Sequence, residues 1–239
     1  MGQASVHCTG ACLFLIRMIF PPGVHTVPMS NHKEELAMSV ELKASETLQN
    51  LMRAFAGESQ ARNRYTFAAS LCRQQKLHVL EAVFQFTASQ EQEHAEIFYN
   101  HMKEVSGQTV QIDGGYPVDL TNDVVQLLRY AQHNEYEEFD PVYASFAETA
   151  RAEGFPQIAA SFRQIAPIEQ SHGNRFGRLA DLLEAGKLFV SDTKCGWMCL
   201  NCGHILEGLE APKLCPVCQH DQGWFIRLEM APYSGMLLP

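Results

Sequence analysis

A glutamate followed some thirty residues later by Glu-x-x-His occurs twice in this chain, and the repeat constrains the fold more than any other feature. Glu58 precedes Glu91-Gln92-Glu93-His94 by 33 residues, and Glu135 precedes Glu169-Gln170-Ser171-His172 by 34. On an α-helix, residues three apart project from one face. Each motif therefore offers a carboxylate oxygen and an imidazole nitrogen to the same point. The first interval is centred near the polar break Gln74-Gln75-Lys76, and the second on the helix stop and restart Glu153-Gly154-Phe155-Pro156. If each interval is a helical hairpin, its donors lie roughly 25 Å from the turn, at about 1.5 Å per residue. Two such hairpins packed together bring four carboxylates and two imidazoles to one interior point.

A single Glu-x-x-His is usually a solvated surface pair. Here the neighbours argue for burial. Phe84, Ala88, Glu91 and Ala95 follow one helical stripe, and Ile158, Phe162, Ile165, Glu169 and Phe176 follow another. A buried carboxylate is costly without a cation, and too few Lys or Arg residues share these stripes to pair them all. The donor set is that of a two-metal carboxylate helix bundle. The pattern predicts four long helices, near 45–74, 78–105, 120–153 and 156–185, with Glu138 also on the third. The segment 106–119 contains Gly107, Asp113-Gly114-Gly115 and Pro117, so it cannot continue a helix. It is long enough to cross the bundle. Pro141 and Pro167 fall inside the third and fourth helices, where each is expected to kink or break its helix beside the proposed donors.

The rest of the chain narrows the class. A formal net charge of -9 argues against nucleic acid as a partner. Five of the eight cysteines lie between Cys195 and Cys218, unlike the even spread of a secreted disulfide framework. Cys199-Leu-Asn-Cys202-Gly203 and Cys215-Pro216-Val-Cys218 form paired knuckles twelve residues apart, a strong signal for a tetrahedral metal site. The spacing admits zinc or iron alike. Cys195 reads as a spare thiol and Cys72 as a packed one. At the N-terminus, the apolar run from Ala11 to Phe20 contains Arg17 and is too short to span a membrane. No basic leading region or cleavage site accompanies it, and Val6 stands where a myristoylation signal needs Ser or Thr. Cys8 and Cys12 alone are weak evidence for a metal. Residues 1–44 read as a poorly ordered extension or a start assigned upstream of the true one, with Met29 and Met38 as alternatives.

Ala56-Gly-Glu58-Ser-Gln-Ala-Arg-Asn-Arg-Tyr65, Glu91-Gln-Glu-His94, Glu135-Tyr-Glu-Glu138 and Glu169-Gln-Ser-His172 resemble the rubrerythrin motifs, in rubrerythrin order. With the cysteine module, the resemblance covers about residues 45–228. It implies a mainly α protein: a ferritin-like four-helix bundle at 45–186, a linker at 187–194, and a rubredoxin-like domain with its tail at 195–239. It implies a homodimer with a non-haem di-iron site whose ligands are Glu58, Glu91, His94, Glu135, Glu138, Glu169 and His172. One iron of the family moves between the positions of His94 and Glu138 with redox state. Tyr65 and Tyr143 match tyrosines that orient ligating carboxylates. The resemblance makes the metal of Cys199, Cys202, Cys215 and Cys218 iron, with Trp197, Trp224 and Phe225 close by.

The expected activity is reduction of hydrogen peroxide to water in the cytoplasm, as oxidative-stress defence. Electrons would come from rubredoxin or an NAD(P)H-dependent reductase, with neither membrane nor nucleic acid as partner. Two alternatives stay open: an iron-handling ferroxidase, and a non-enzymatic regulator with zinc in the knuckles. Glu93, Glu96 and Glu137 are expected at the surface, and His133 as an ordinary polar histidine. The unusual Pro167 and Gly173 leave the aim of Glu169 and His172 the least defined.

Overall fold

The computed structural model describes residues 40–233. The expectations for residues 1–39, with Cys8, Cys12, Met29 and Met38, lie outside the described residues, as does the end of the tail from 234. Leu42–Ala44 forms a short 3-10 turn, and Leu42 is buried. Ser45 then caps α1 (Glu46–Gln74), its hydroxyl accepting from the Leu48 amide at 3.1 Å. The turn at Lys76, with φ 59°, reverses the chain into α2 (His78–His101). Residues 106–123 form no helix or strand. They run across α1, held there by Arg53–Asp113 (2.6 Å), by the Tyr116 hydroxyl on the Arg53 carbonyl (2.9 Å) and by Arg64–Asp119. Asn134 also donates to Asp119, at 2.8 Å, tying the crossing to the next helix.

Asp123 caps that helix, α3 (Val124–Glu137), through the amides of Val125 and Gln126. The single third helix expected over 120–153 is interrupted. Glu138–Val142 forms a wide π-type turn, after which α4 (Tyr143–Ala152) resumes. Pro141 is the cause: it lacks a donor, and it pushes the preceding residue towards extended geometry, as seen in Asp140 (φ −154°, ψ 119°). Gly154, with φ 89°, ends this hairpin arm, and Pro156 opens α5 (Pro156–Glu184) at a position where no helical donor is needed. Pro167 does not break α5. It is exposed, so the carbonyl it leaves unpaired can take a water molecule.

The bundle has an apolar cluster on each side of a polar belt. Tyr65, Phe84, Leu128, Phe176 and Leu179 lie on one side. Leu51, Phe98, Tyr143, Phe162 and Ile165 lie on the other. Each fully buried large side chain contributes about 1.5–3 kcal/mol, which supports the buried polar belt between them. Helices α3 and α5 approach closely at Gly173 and Gly177. A Cβ at Gly173 would sit 2.6 Å from the Tyr136 ring, and one at Gly177 would sit 2.3 Å from the Gln132 amide. Gly173 is therefore what lets α5 bring His172 against α3.

The C-terminal module is a three-stranded antiparallel sheet of β1 (Val190–Cys199), β2 (Ile205–Glu210) and β3 (Phe225–Arg227), in the order β2-β1-β3. Trp197, Cys199, Cys215 and Phe225 form its small core. The module packs on the α1–α2 turn. Trp224 stacks on His78 at 4.4 Å, Ile226 and Ala231 bury Val79, and Gly223 lies so close to the Lys76 carbonyl that a Cβ would be 1.8 Å from its oxygen. Among the described residues, no helix is long and apolar enough to cross a membrane.

Candidate metal centres

The two hairpins do bring their donors together. Glu58, Glu91, His94 and Glu169 form one group, and Glu91, Glu135, Glu169 and His172 a second, all buried and with ligand atoms within 4.8 Å of one another in each group. Glu91 and Glu169 belong to both. Glu91 places Oε2 3.3 Å from His94 Nδ1 and Oε1 3.0 Å from His172 Nδ1. Glu169 places Oε1 2.9 Å from His94 Nδ1 and Oε2 2.9 Å from His172 Nδ1. Glu58 reaches only His94, at 3.9 Å, and Glu135 only His172, at 3.5 Å. Each position thus has one imidazole, one private carboxylate and one oxygen from each of two shared carboxylates.

The private carboxylates are held reciprocally. Tyr143, at the start of α4, donates to Glu58 Oε1 on α1 at 2.5 Å. Tyr65 on α1 donates to Glu135 Oε1 on α3. Burial and the adjacent carboxylates push both phenols well above their usual range, so both stay protonated and can only donate to those oxygens. Each tyrosine leaves the second oxygen of its glutamate free.

The electrostatics show what the protein alone lacks. Burial, then the charges of the neighbouring glutamates, raises Glu58 and Glu135 well above the carboxylate range. Burial also opposes ionisation of Glu91, but the imidazoles of His172 and His94 close beside it outweigh that and bring the carboxyl down to about 2. The imidazoles resist charging through burial, yet the glutamates around them raise His94 to about 9 and His172 to about 12. Even with both imidazoles charged, two positive groups serve four buried carboxyl groups, and burial disfavours ionising Glu58 and Glu135 without a further cation. Glu58 Oε2, Glu135 Oε2, both oxygens of Glu91 and Glu169, and Nδ1 of both histidines are buried without a hydrogen-bond partner. Orphaned acceptors at this density are costly in a folded core. A pair of cations would satisfy them, and mixed carboxylate and imidazole donors suit iron.

Glu138, the seventh expected ligand, is not in either group. It lies half-buried on the π-type turn beside them. Burial, and then the charges of Glu169 and Glu91, push its carboxyl up to about 8. Glu93, Glu96, Glu137 and His133 are exposed, as expected for surface residues. Asp119 is a residue that sequence reasoning passed over. It receives Arg64 and Asn134, next to Glu135, across a separation that no local pattern signals.

The four knuckle cysteines converge as well. Cys199 and Cys218 sulfurs lie 3.7 Å apart, and Cys202 and Cys215 sulfurs 3.6 Å. A tetrahedron with metal–sulfur bonds of about 2.3 Å has edges of about 3.8 Å. The knuckles are built alike. The amides of Gly203 and Gln219 donate to the carbonyls of Cys199 and Cys215, and both residues adopt positive φ. Glycine fits that conformation without strain, whereas Gln219 does not. Cys195 stands outside the four, near Arg227, and Cys72 is buried in the bundle core.

Two metal positions shared by two helical hairpins, and a four-thiolate site on a small sheet, place this chain among ferritin-like di-iron carboxylate proteins with a rubredoxin-like iron domain. The sequence matches the rubrerythrin family over residues 49–180 and the rubredoxin-like domain of rubrerythrin over residues 197–226. The chain belongs to the rubrerythrin family. It is 45% identical over 185 residues to a rubrerythrin of Clostridium perfringens, covering 77% of this chain and 95% of that one. It is 41% identical over 193 residues to a rubrerythrin of Porphyromonas gingivalis, covering 81% and 95%. A solved structure of partially reduced nigerythrin is 26% identical, with a TM-score of 0.52, covering 88% of this chain and 100% of that one. The bundle centre is thus a di-iron site and the cysteine centre a rubredoxin-type iron site, a one-electron carrier.

Proposed function

We propose that this protein reduces hydrogen peroxide to water at the bundle site, with electrons entering through the four-cysteine centre. The observation that carries this reading is the presence of both centres in one chain, because a store for iron needs no electron inlet of its own. The overall change takes one peroxide, two protons and two electrons to two waters. Iron bound there would supply the two electrons that cleavage of the O–O bond requires. Glu58, Glu91, His94, Glu135, Glu169 and His172 hold the pair, and Tyr65 and Tyr143 fix the aim of the private carboxylates. Glu138, on the turn beside the six, would serve as a seventh ligand in the oxidised state, whose extra positive charge would favour carboxylate over neutral imidazole. Cys199, Cys202, Cys215 and Cys218 hold the inlet iron. The proposed compartment is the cytoplasm, whose reducing conditions would keep the thiolate ligands and the thiols of Cys72 and Cys195 free of disulfides. The upstream donor is then rubredoxin or an NAD(P)H-dependent reductase.

Metal analysis of anaerobically purified protein tests this reading. It should give about three irons per chain, since both donor sets suit that metal, and the air-oxidised protein should be red from thiolate-to-iron charge transfer. Reductant-driven peroxide consumption should accompany the colour. Colourless protein with zinc in the knuckles would remove the inlet, and with it the proposed electron route.

The position of the module supports transfer between subunits of a homodimer. It sits at the α1–α2 turn, and Glu91 is thirteen residues beyond His78, about 20 Å by helical rise. The inlet of one subunit would therefore serve the di-iron site of its partner. Cys218→Ser removes the inlet and Glu58→Ala impairs the di-iron site. Mixed dimers of these two inactive variants should regain peroxidase activity. Verified heterodimers that stay inactive would reject the route between subunits.

A further inference from the structure

A cavity of about 270 Å³ opens beside the di-iron site, between α1, the π-type turn and the crossing segment. Its lining includes Glu138 and Tyr143. Tyr143 is the residue that donates to Glu58, so the cavity reaches the immediate surroundings of the metal donors. Gly57, adjacent to Glu58, forms part of the α1 wall. A Cβ there would lie 3.8 Å from Glu138 Oε1 and 3.7 Å from the Tyr116 ring, in ordinary contact with both. Glycine therefore leaves a gap that alanine would narrow slightly and a larger side chain would fill.

The outer wall is Tyr116, from the crossing segment. Its ring is pinned on several sides. The hydroxyl donates to the Arg53 carbonyl at 2.9 Å. Arg53 is in turn clamped by Asp113 at 2.6 Å and by Glu46 at 2.5 Å. A Cβ on Gly114 would lie 3.2 Å from the ring, so the bare glycine backbone backs the ring closely on that side. A half-exposed aromatic, held at a fixed distance from a glycine next to a metal ligand, defines an opening of limited width.

We propose that this cavity is the entrance through which small polar oxidants reach the di-iron site, and that Tyr116 and Gly57 set its width. The assignment rests on the peroxide-reducing function proposed above, and it adds that bulky hydroperoxides are excluded by Tyr116. Glu138 lines the entrance, so an incoming molecule meets this carboxylate before the shared ligands. Tyr116 and Gly57 are specificity-determining residues that touch neither metal.

The test uses iron-loaded full-length protein and azide, a small anion whose binding to the oxidised di-iron site is followed optically. Gly57→Leu should slow azide association by roughly tenfold or more, with iron content and Tm unchanged, while Gly57→Ala stays near wild type. Tyr116→Ala should speed azide association and raise turnover of tert-butyl hydroperoxide relative to hydrogen peroxide by roughly tenfold. Unchanged azide rates in Gly57→Leu overturn the assignment. If Gly57→Leu loses iron, Tyr116→Ala decides: wild-type azide rates and hydroperoxide preference there also overturn it. Azide rates that shift in a protein without peroxidase activity would uphold the entrance and defeat the peroxide function. Peroxidase activity with unshifted azide rates would do the reverse.

Discussion

Glu91→Ala should empty the bundle of both irons, whereas Glu58→Ala should cost only one. The difference follows from the sharing of carboxylates. Glu91 has one oxygen at each histidine, and Glu58 faces only His94. Loss of Glu91 removes a donor from both positions at once and leaves Glu169 as the one shared carboxylate. Iron analysis should then find about one iron per chain in Glu91→Ala, held by the cysteines, and about two in Glu58→Ala. Thermal stability gives an independent readout, because metal bound only by the folded state adds to its stability. Chelation should lower the Tm of the wild type more than that of Glu91→Ala, which has less bundle metal to lose. Equal iron loss in the two variants would show that the shared and private roles are wrongly assigned.

Glu138→Ala should separate metal holding from turnover. The six clustered donors remain in this variant, so about two irons per bundle should be retained. Peroxide turnover should nevertheless fall on the order of 10–100-fold, the usual consequence of removing a carboxylate that tunes a metal site. Titration of iron and steady-state peroxide consumption on the same sample check both halves. Turnover at the wild-type rate would show that the oxidised site does not need this carboxylate.

The donors were legible in the sequence because their geometry is local. Glu-x-x-His needs only helical phase, and the matched intervals of Glu58–Glu91 and Glu135–Glu169 need only a turn at the midpoint. The knuckle cysteines were legible for the same reason. What the sequence did not disclose depends on contacts between distant segments. Helical phase says that Glu91 and Glu169 face inward, but not that they are shared while Glu58 and Glu135 are private. That distinction is set by how the hairpins cross. Pro141 announced a disturbance without its form: a kink, a break and a π-type turn all answer the loss of one donor. The displacement of Glu138 from the six-donor groups follows from that form. Gly173, which looked anomalous on α5, is explained only by the Tyr136 ring of α3. The seat of the module on Lys76 likewise depends on Gly223, whose pattern in the sequence points to nothing beyond a turn.

That seat has a consequence for how the electron carrier behaves. The module is fastened twice. Leu188, just before β1, is buried in the bundle core, and Gly223 and Trp224 press on the α1–α2 turn. Arg227 adds a third tie, donating to the carbonyls of Lys187 at 2.9 Å and Val190 at 2.6 Å, which leaves the connection no slack. A carrier on a loose tether shuttles: it collects charge in one place, diffuses and discharges in another, at a rate limited by solvent drag. This one is a fixed relay. Its cysteine centre keeps one orientation on its own bundle, so transfer is governed by gaps frozen into the packing rather than by the swing of a domain.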